Sequence, residues 1–111
     1  MNWNKLTEAA QIDEIKALSK EKPVLIFKHS TRCSISSMSL DRLLRKWKDQ
    51  DLEKVTPYFL DLIAYRQLSD QVATEFKIPH ESPQVILIQN AEAIYSNSHF
   101  GISYGELMEK V

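Results

Sequence analysis

The chain has 111 residues, with 14 Lys and Arg against 15 Asp and Glu and a net charge of −1. That is the size of one domain, spanning 1–111, without the basic excess of a nucleic-acid-binding module. Apolar residues make up 43% of it, enough for a core without staples, and the one cysteine excludes both a disulfide framework and a cysteine-rich zinc site.

The opening Met1-Asn2-Trp3-Asn4-Lys5 lacks the apolar stretch of a secretion signal. The clearest apolar runs, 24–27 and 85–88, are far too short to span a bilayer. A cytoplasmic protein with no membrane segment is the expectation. Residues 7–19 read as a helix, because Ala9, Ile12, Ile15 and Leu18 recur at a spacing of three. Pro23 stops it. The run 24–27 then suits a central strand buried on both faces, and the polar cluster 28–32 is expected to leave that strand.

From Cys33 to about Lys48 the pattern is helical again, with Ile35, Met38, Leu43, Leu44 and Trp47 on one side. Residues 55–62 read as a second strand. Leu68, Val72 and Phe76 mark a third helix, and a loop with two prolines follows at 78–83. Residues 84–89 and 93–98 are the third and fourth strands. Ser103 and Glu106 form a capping-box pattern for the last helix, with Ile102 and Leu107 placed as a hydrophobic staple. Met38, Trp47, Phe59 and Phe76 are expected in the core, Trp3 over one end of the sheet, and the charged stretch 42–54 on a solvated face. The order helix, strand, helix, strand, helix, strand, strand, helix fits an α/β thioredoxin-like sandwich, a mixed four-stranded sheet flanked by helices. Its first βαβ unit is parallel.

Cys33 falls at a strand-to-helix junction, where a helix N-terminus offers unpaired N–H groups and the positive end of its dipole. Arg32 is adjacent, and Lys28 and His29 are expected on the same loop. Such surroundings favour a thiolate. A lone cysteine elsewhere packs as a small hydrophobe; the junction, Arg32 and Ser36 favour a reactive thiol here. Ser36 occupies the place of the second cysteine in a Cys-x-x-Cys motif, with its hydroxyl expected to donate to the sulfur. A lone thiolate attacks a disulfide and carries away one half, but an external thiol must regenerate it. In a thioredoxin-like fold the Ser82-Pro83 loop faces the cysteine, and the Ser82 backbone is a candidate to pair with substrate. From the dipeptide alone a trans bond is the ordinary expectation. Of the histidines, His29 either supports the thiolate or simply sits in the loop, His80 reads as solvated between its prolines, and His99 faces the site from the end of the fourth strand. Their scatter makes no metal motif.

The segment Phe27-Lys28-His29-Ser30-Thr31-Arg32-Cys33-Ser34-Ile35-Ser36 resembles the signature of the YtxJ-type monothiol bacilliredoxins. His80-Glu81-Ser82-Pro83-Gln84 is similar to that family's proline loop, and Ser98-His99 also fits. The resemblance covers nearly the whole chain. It implies a monothiol thiol–disulfide oxidoreductase with Cys33 as nucleophile, Ser36 in the resolving position and Pro83 as a cis-proline. It also implies bacillithiol as co-substrate, S-bacillithiolated proteins as partners, and no tightly bound cofactor or metal. A monomer is the expected state. Bacillithiol carries malate carboxylates, so Lys28, Arg32 and His99 are candidate anion contacts. Rival readings are an iron–sulfur carrier using Cys33 and a small thiol, a non-catalytic thioredoxin-fold adaptor, and a redox sensor capped by the small thiol.

Overall fold

The structure is a computed structural model that describes residues 3–111. In chain order it holds β1 (Asn4–Lys5), α1 (Ala10–Leu18), β2 (Val24–His29), α2 (Ser34–Lys46), a 3-10 turn at Asp49–Glu53, β3 (Thr56–Asp61) and α3 (Arg66–Phe76). After these come β4 (Gln84–Gln89), β5 (Glu92–Ser98), a second 3-10 turn at His99–Gly101 and α4 (Tyr104–Lys110). The strands form one mixed sheet in the order β1-β3-β2-β4-β5. β1 and β2 both run parallel to β3, while β4 is antiparallel to β2 and to β5.

The sheet therefore has five strands rather than the expected four. The addition, β1, is two exposed residues paired to Tyr58 and Phe59. Two polar residues carry no alternation for a sequence reading to detect.

β2 is buried along its whole length, as a strand flanked on both sides and covered on both faces must be. Its side chains alternate between two layers. Val24 and Ile26 join Ile12 and Ile15 of α1 and Leu68, Val72 and Phe76 of α3 in one apolar cluster. Leu25 and Phe27 join Leu43 of α2, Leu107 of α4 and Trp3 in the other. Each fully buried Leu or Ile in these clusters contributes roughly 1.5–3 kcal/mol relative to exposure. Trp3 lies inside the second layer, its ring edge-on to Trp47 at 5.0 Å. α4 begins as the sequence predicts: the Ser103 hydroxyl accepts from the Glu106 amide, and Ile102 and Leu107 are buried.

Two local expectations are corrected. β2 does not end at Phe27 but runs on through Lys28 and His29, both buried. Met38 is not core; it is 62% exposed. The face of α2 turned to the sheet is Ser36, Ser39 and Leu43, and Met38, two positions after Ser36, is rotated about 200° away.

Candidate active site

Cys33 is the residue immediately before α2, with an extended backbone (φ −115°, ψ 117°). Its N–H donates to the Ser30 carbonyl at 3.2 Å, and its own carbonyl accepts from the Ser37 amide at 3.2 Å. Cys33 is partly exposed as a residue and free of any disulfide. β2 thus delivers the cysteine to the rim of the sheet, and the first turn of α2 points its unpaired amides there. Arg32 and Ser34, on either side, are exposed.

Ser36 does not donate to the sulfur as expected. It is buried, and its Oγ lies 2.7 Å from His29 Nδ1 and accepts from the Ser30 N–H at 3.0 Å. The residue that replaces a resolving thiol therefore ties the start of α2 back to the end of β2. His29 is held between this contact and the Phe59 ring, 5.5 Å away between centroids. Burial pushes its pKa below the ordinary imidazole value, against a smaller opposing pull from Asp61.

Lys28 points into the opposite layer and is fully buried. Its Nζ donates to the Ser69 carbonyl at 3.0 Å and lies 3.4 Å from His80 Nδ1, which is also 3.3 Å from Ser69 Oγ. Burial lowers the lysine pKa from 10.5 to about 8, with Asp70 opposing the shift and Arg66 adding to it. This placement corrects two expectations. Lys28 is not a surface contact for a substrate carboxylate, because its ammonium is spent inside the protein. His80 is not simply solvated, because it sits on that ammonium.

The proline loop closes the same end of the sheet. Gln84 pairs with Lys28 across β4 and β2, so Ser82 and Pro83 sit beside the end of β2 from which Cys33 departs. The Ser82-Pro83 bond is cis. β4 begins at Gln84, leaving Ser82 outside the ladder, and its hydroxyl is buried without a partner among the described residues. The Gln84 side chain braces the loop from within, donating to the Pro79 carbonyl at 3.0 Å and accepting from the Glu81 amide at 3.4 Å. Ser98 Oγ donates to Glu81 from the neighbouring strand. His99 is exposed, with its N–H donating to the Pro83 carbonyl at 3.0 Å and its carbonyl accepting from Ser39 Oγ at 3.2 Å.

The structure thus gathers Cys33, Arg32, Ser36, Ser82, Pro83 and His99 at one end of the sheet and removes Lys28 to the interior. Sequence reasoning missed Ser69 altogether and gave Gln84 a place in the proline-loop segment but no bracing role. One signal was available: period-two alternation from Val24 and Ile26 places residue 28 in the α1/α3 layer. No group of three or more His, Cys, Asp or Glu able to hold a metal ion occurs among the described residues. No helix among them is long and apolar enough to cross a membrane.

Among solved structures, the chain is similar to a protein described as a candidate oxidoreductase with a thioredoxin fold. That match has 28% identity, a TM-score of 0.80, and coverage of 96% of this chain and 90% of that one. Two thioredoxins share the fold at lower identity. That of Malassezia sympodialis has 17% identity and TM-score 0.74, covering 98% of this chain and 87% of its own. That of Fasciola hepatica has 12% identity and TM-score 0.68, covering 96% and 94%. The family model for monothiol bacilliredoxin BrxC matches residues 4–107, which takes in every strand, the cysteine junction and the proline loop. The chain therefore belongs to the monothiol bacilliredoxin family and, at the general level, to the thioredoxin-like thiol–disulfide oxidoreductases.

Proposed function

We propose that the protein removes bacillithiol from S-bacillithiolated protein cysteines. The observation that carries this reading is that the chain's one cysteine stands partly exposed before α2, while the position three residues on is a buried serine bonded to His29 and Ser30. No internal disulfide is available, so every exchange passes through a bond to another molecule.

Two steps complete the cycle. The Cys33 thiolate attacks the bacillithiol sulfur of the mixed disulfide. A Cys33–bacillithiol bond forms, and the client sulfur leaves with the electron pair of the broken bond. A second bacillithiol thiolate then attacks the bacillithiol sulfur held on Cys33. Bacillithiol disulfide departs and the Cys33 thiolate returns. Bacillithiol is thus a co-substrate, and S-bacillithiolated proteins are the partners. Exposed Arg32 and His99 are the candidate contacts for the malate carboxylates, and the Ser82 backbone, outside the β4 ladder, is the candidate to receive the client chain. A cytoplasmic setting, where small thiols are reduced and abundant, suits this cycle.

The test is intact mass after incubating the reduced protein with bacillithiol disulfide, with Cys33→Ser as control. The expected result is rapid gain of one bacillithiol, absent from the variant and slower with glutathione disulfide. Gain of an adduct only after unfolding would make Cys33 a packing residue and end the catalytic reading.

A further inference from the structure

The proline loop is braced at two points, by Gln84 from inside the sheet and by His80 against α3. The second brace has an unusual composition. An ammonium group has donors only, so the lysine–histidine contact between Lys28 Nζ and His80 Nδ1 at 3.4 Å requires Nδ1 to be an acceptor. Read as a hydrogen bond from that ammonium, the contact assigns the ring proton to Nε2. Ser69 fixes both partners, accepting from Lys28 at its carbonyl and meeting His80 Nδ1 at its hydroxyl, 3.3 Å away. His80 lies two residues before Ser82.

We propose that His80 is a positioning residue of the exchange reaction: seated on Lys28 as its neutral Nε2–H tautomer, it holds the 79–83 loop against α3 so that Ser82 is in place to receive the disulfide substrate. The inference rests on the exchange activity proposed above. Protonating His80 puts an N–H where the acceptor lone pair was, facing an ammonium, and the brace opens. The charged groups around the ring act in both directions. Lys28 of β2 and Arg66 of α3 disfavour the imidazolium, while Asp70 of α3 and Glu81 of the loop favour it. Burial is the largest influence, and the balance lowers the His80 pKa below its ordinary value. The brace is therefore intact at neutral pH and releases only in acid. Loss of the Lys28 proton above pH 8 leaves an amine that still donates, so no release is expected on the alkaline side.

The experiment has two parts. Nitrogen-15 NMR of the imidazole rings should show His80 as the Nε2–H tautomer, titrating below the ordinary histidine value. Steady-state exchange is then measured from pH 5.5 to 8 on a model peptide carrying a bacillithiol mixed disulfide. In the unmodified protein KM should rise about fivefold as His80 protonates, beyond any change in kcat. His80→Ala should show the raised KM at every pH, with iodoacetamide alkylation of Cys33 within twofold of the unmodified rate. His80→Asn, whose Oδ1 accepts from Lys28 but does not titrate, should restore the low KM and flatten its acid limb. An Nδ1–H tautomer, or a His80→Ala KM equal to the unmodified value, overturns the assignment of His80 alone. Absence of exchange by the unmodified chain overturns the functional reading and this role with it.

Discussion

Lys28 and His29 are consecutive residues of β2, both buried, and they serve opposite layers of the molecule. His29 faces α2 and meets the hydroxyl of Ser36. Lys28 faces α3 and grips the Ser69 carbonyl and His80. One strand end thereby fixes both halves of the site, the cysteine helix on one face and the proline loop on the other. The two fixings differ in kind. On the His29 side the groups are neutral near pH 7, and each contact replaces a hydrogen bond to water. On the Lys28 side a charge has been taken out of water, and its hydrogen bonds offset a desolvation penalty.

The titration of Lys28 tests that distinction. A lysine pKa lowered from 10.5 to about 8 corresponds to roughly 3 kcal/mol between the two protonation states. Below pH 8 both folded and unfolded chains carry the charge, and the folded one bears the full penalty. Between about 8 and 10.5 the unfolded chain binds more protons, so the stability owed to this group rises with pH and is complete above 10.5. Lys28→Met deletes the titration. The unfolding free energy of the unmodified protein minus that of the variant, from urea denaturation, should therefore grow by roughly 3 kcal/mol across that window. Tyr58, Tyr95 and Tyr104, whose pKa values are raised, titrate in both proteins and cancel in the difference. At pH 7 the variant should be close to the unmodified protein. It removes a second hydrogen bond from the Ser69 carbonyl, which keeps its bond within α3, and one from His80 Nδ1, at about 1–3 kcal/mol, but relieves a penalty of similar size. A difference that stays flat with pH would mean that no charge is buried on this face.

Ser36→Ala probes the other face and has no such offset. It leaves the Ser30 N–H and His29 Nδ1 without their partner, so a loss of about 1–3 kcal/mol is expected. Urea denaturation near pH 7.5, where His29 and His80 are neutral, measures it. Stability of the unmodified protein should also fall as pH drops through the unfolded histidine value near 6.5, because His29 and His80 both have lowered pKa values in the fold. A Ser36→Ala variant of full stability would mean that the serine is a spacer and not a tie.

The contrast between the faces also explains what was legible in the sequence. Cys33, Ser36 and the Ser82-Pro83 loop stood out because their chemistry and spacing are local. The apolar strands and the Ser103 cap stood out because periodicity and capping are local too. Lys28 was misread because it lies in a polar run, 28–32, that looks like the exit from a strand. The alternation from Val24 and Ile26 gives its layer, but that its ammonium is bonded inside is a matter of α3 packing on β2, a contact between residues 41 positions apart. His80 was misread for the same reason. Met38 was misread because α2 turns two serines rather than its longest apolar side chains toward the sheet, so that Met38, like Phe100 at 67% exposure, is left outside. The partner of a buried polar group is a tertiary fact, and no window of sequence contains it.

Coupling between the two faces, which should lie close to zero, measures how separate they are. Ser36 and His80 share no hydrogen-bond partner, and the sheet lies between their layers. Substitutions at sites without shared partners add to within about 0.3–0.5 kcal/mol. The double variant Ser36→Ala, His80→Asn should therefore be destabilised by the sum of the single effects within that margin, by urea denaturation at pH 7.5. Lys28 and His29 are adjacent along the backbone, so one route for coupling exists: a shift of the β2 end that tightens one contact as it loosens the other. Such a shift would appear as a coupling energy above about 1 kcal/mol, outside the additive range. It would mean that the cysteine helix and the proline loop respond to each other through β2. Additivity would instead mean that the strand end is a rigid post to which each half of the site is tied on its own.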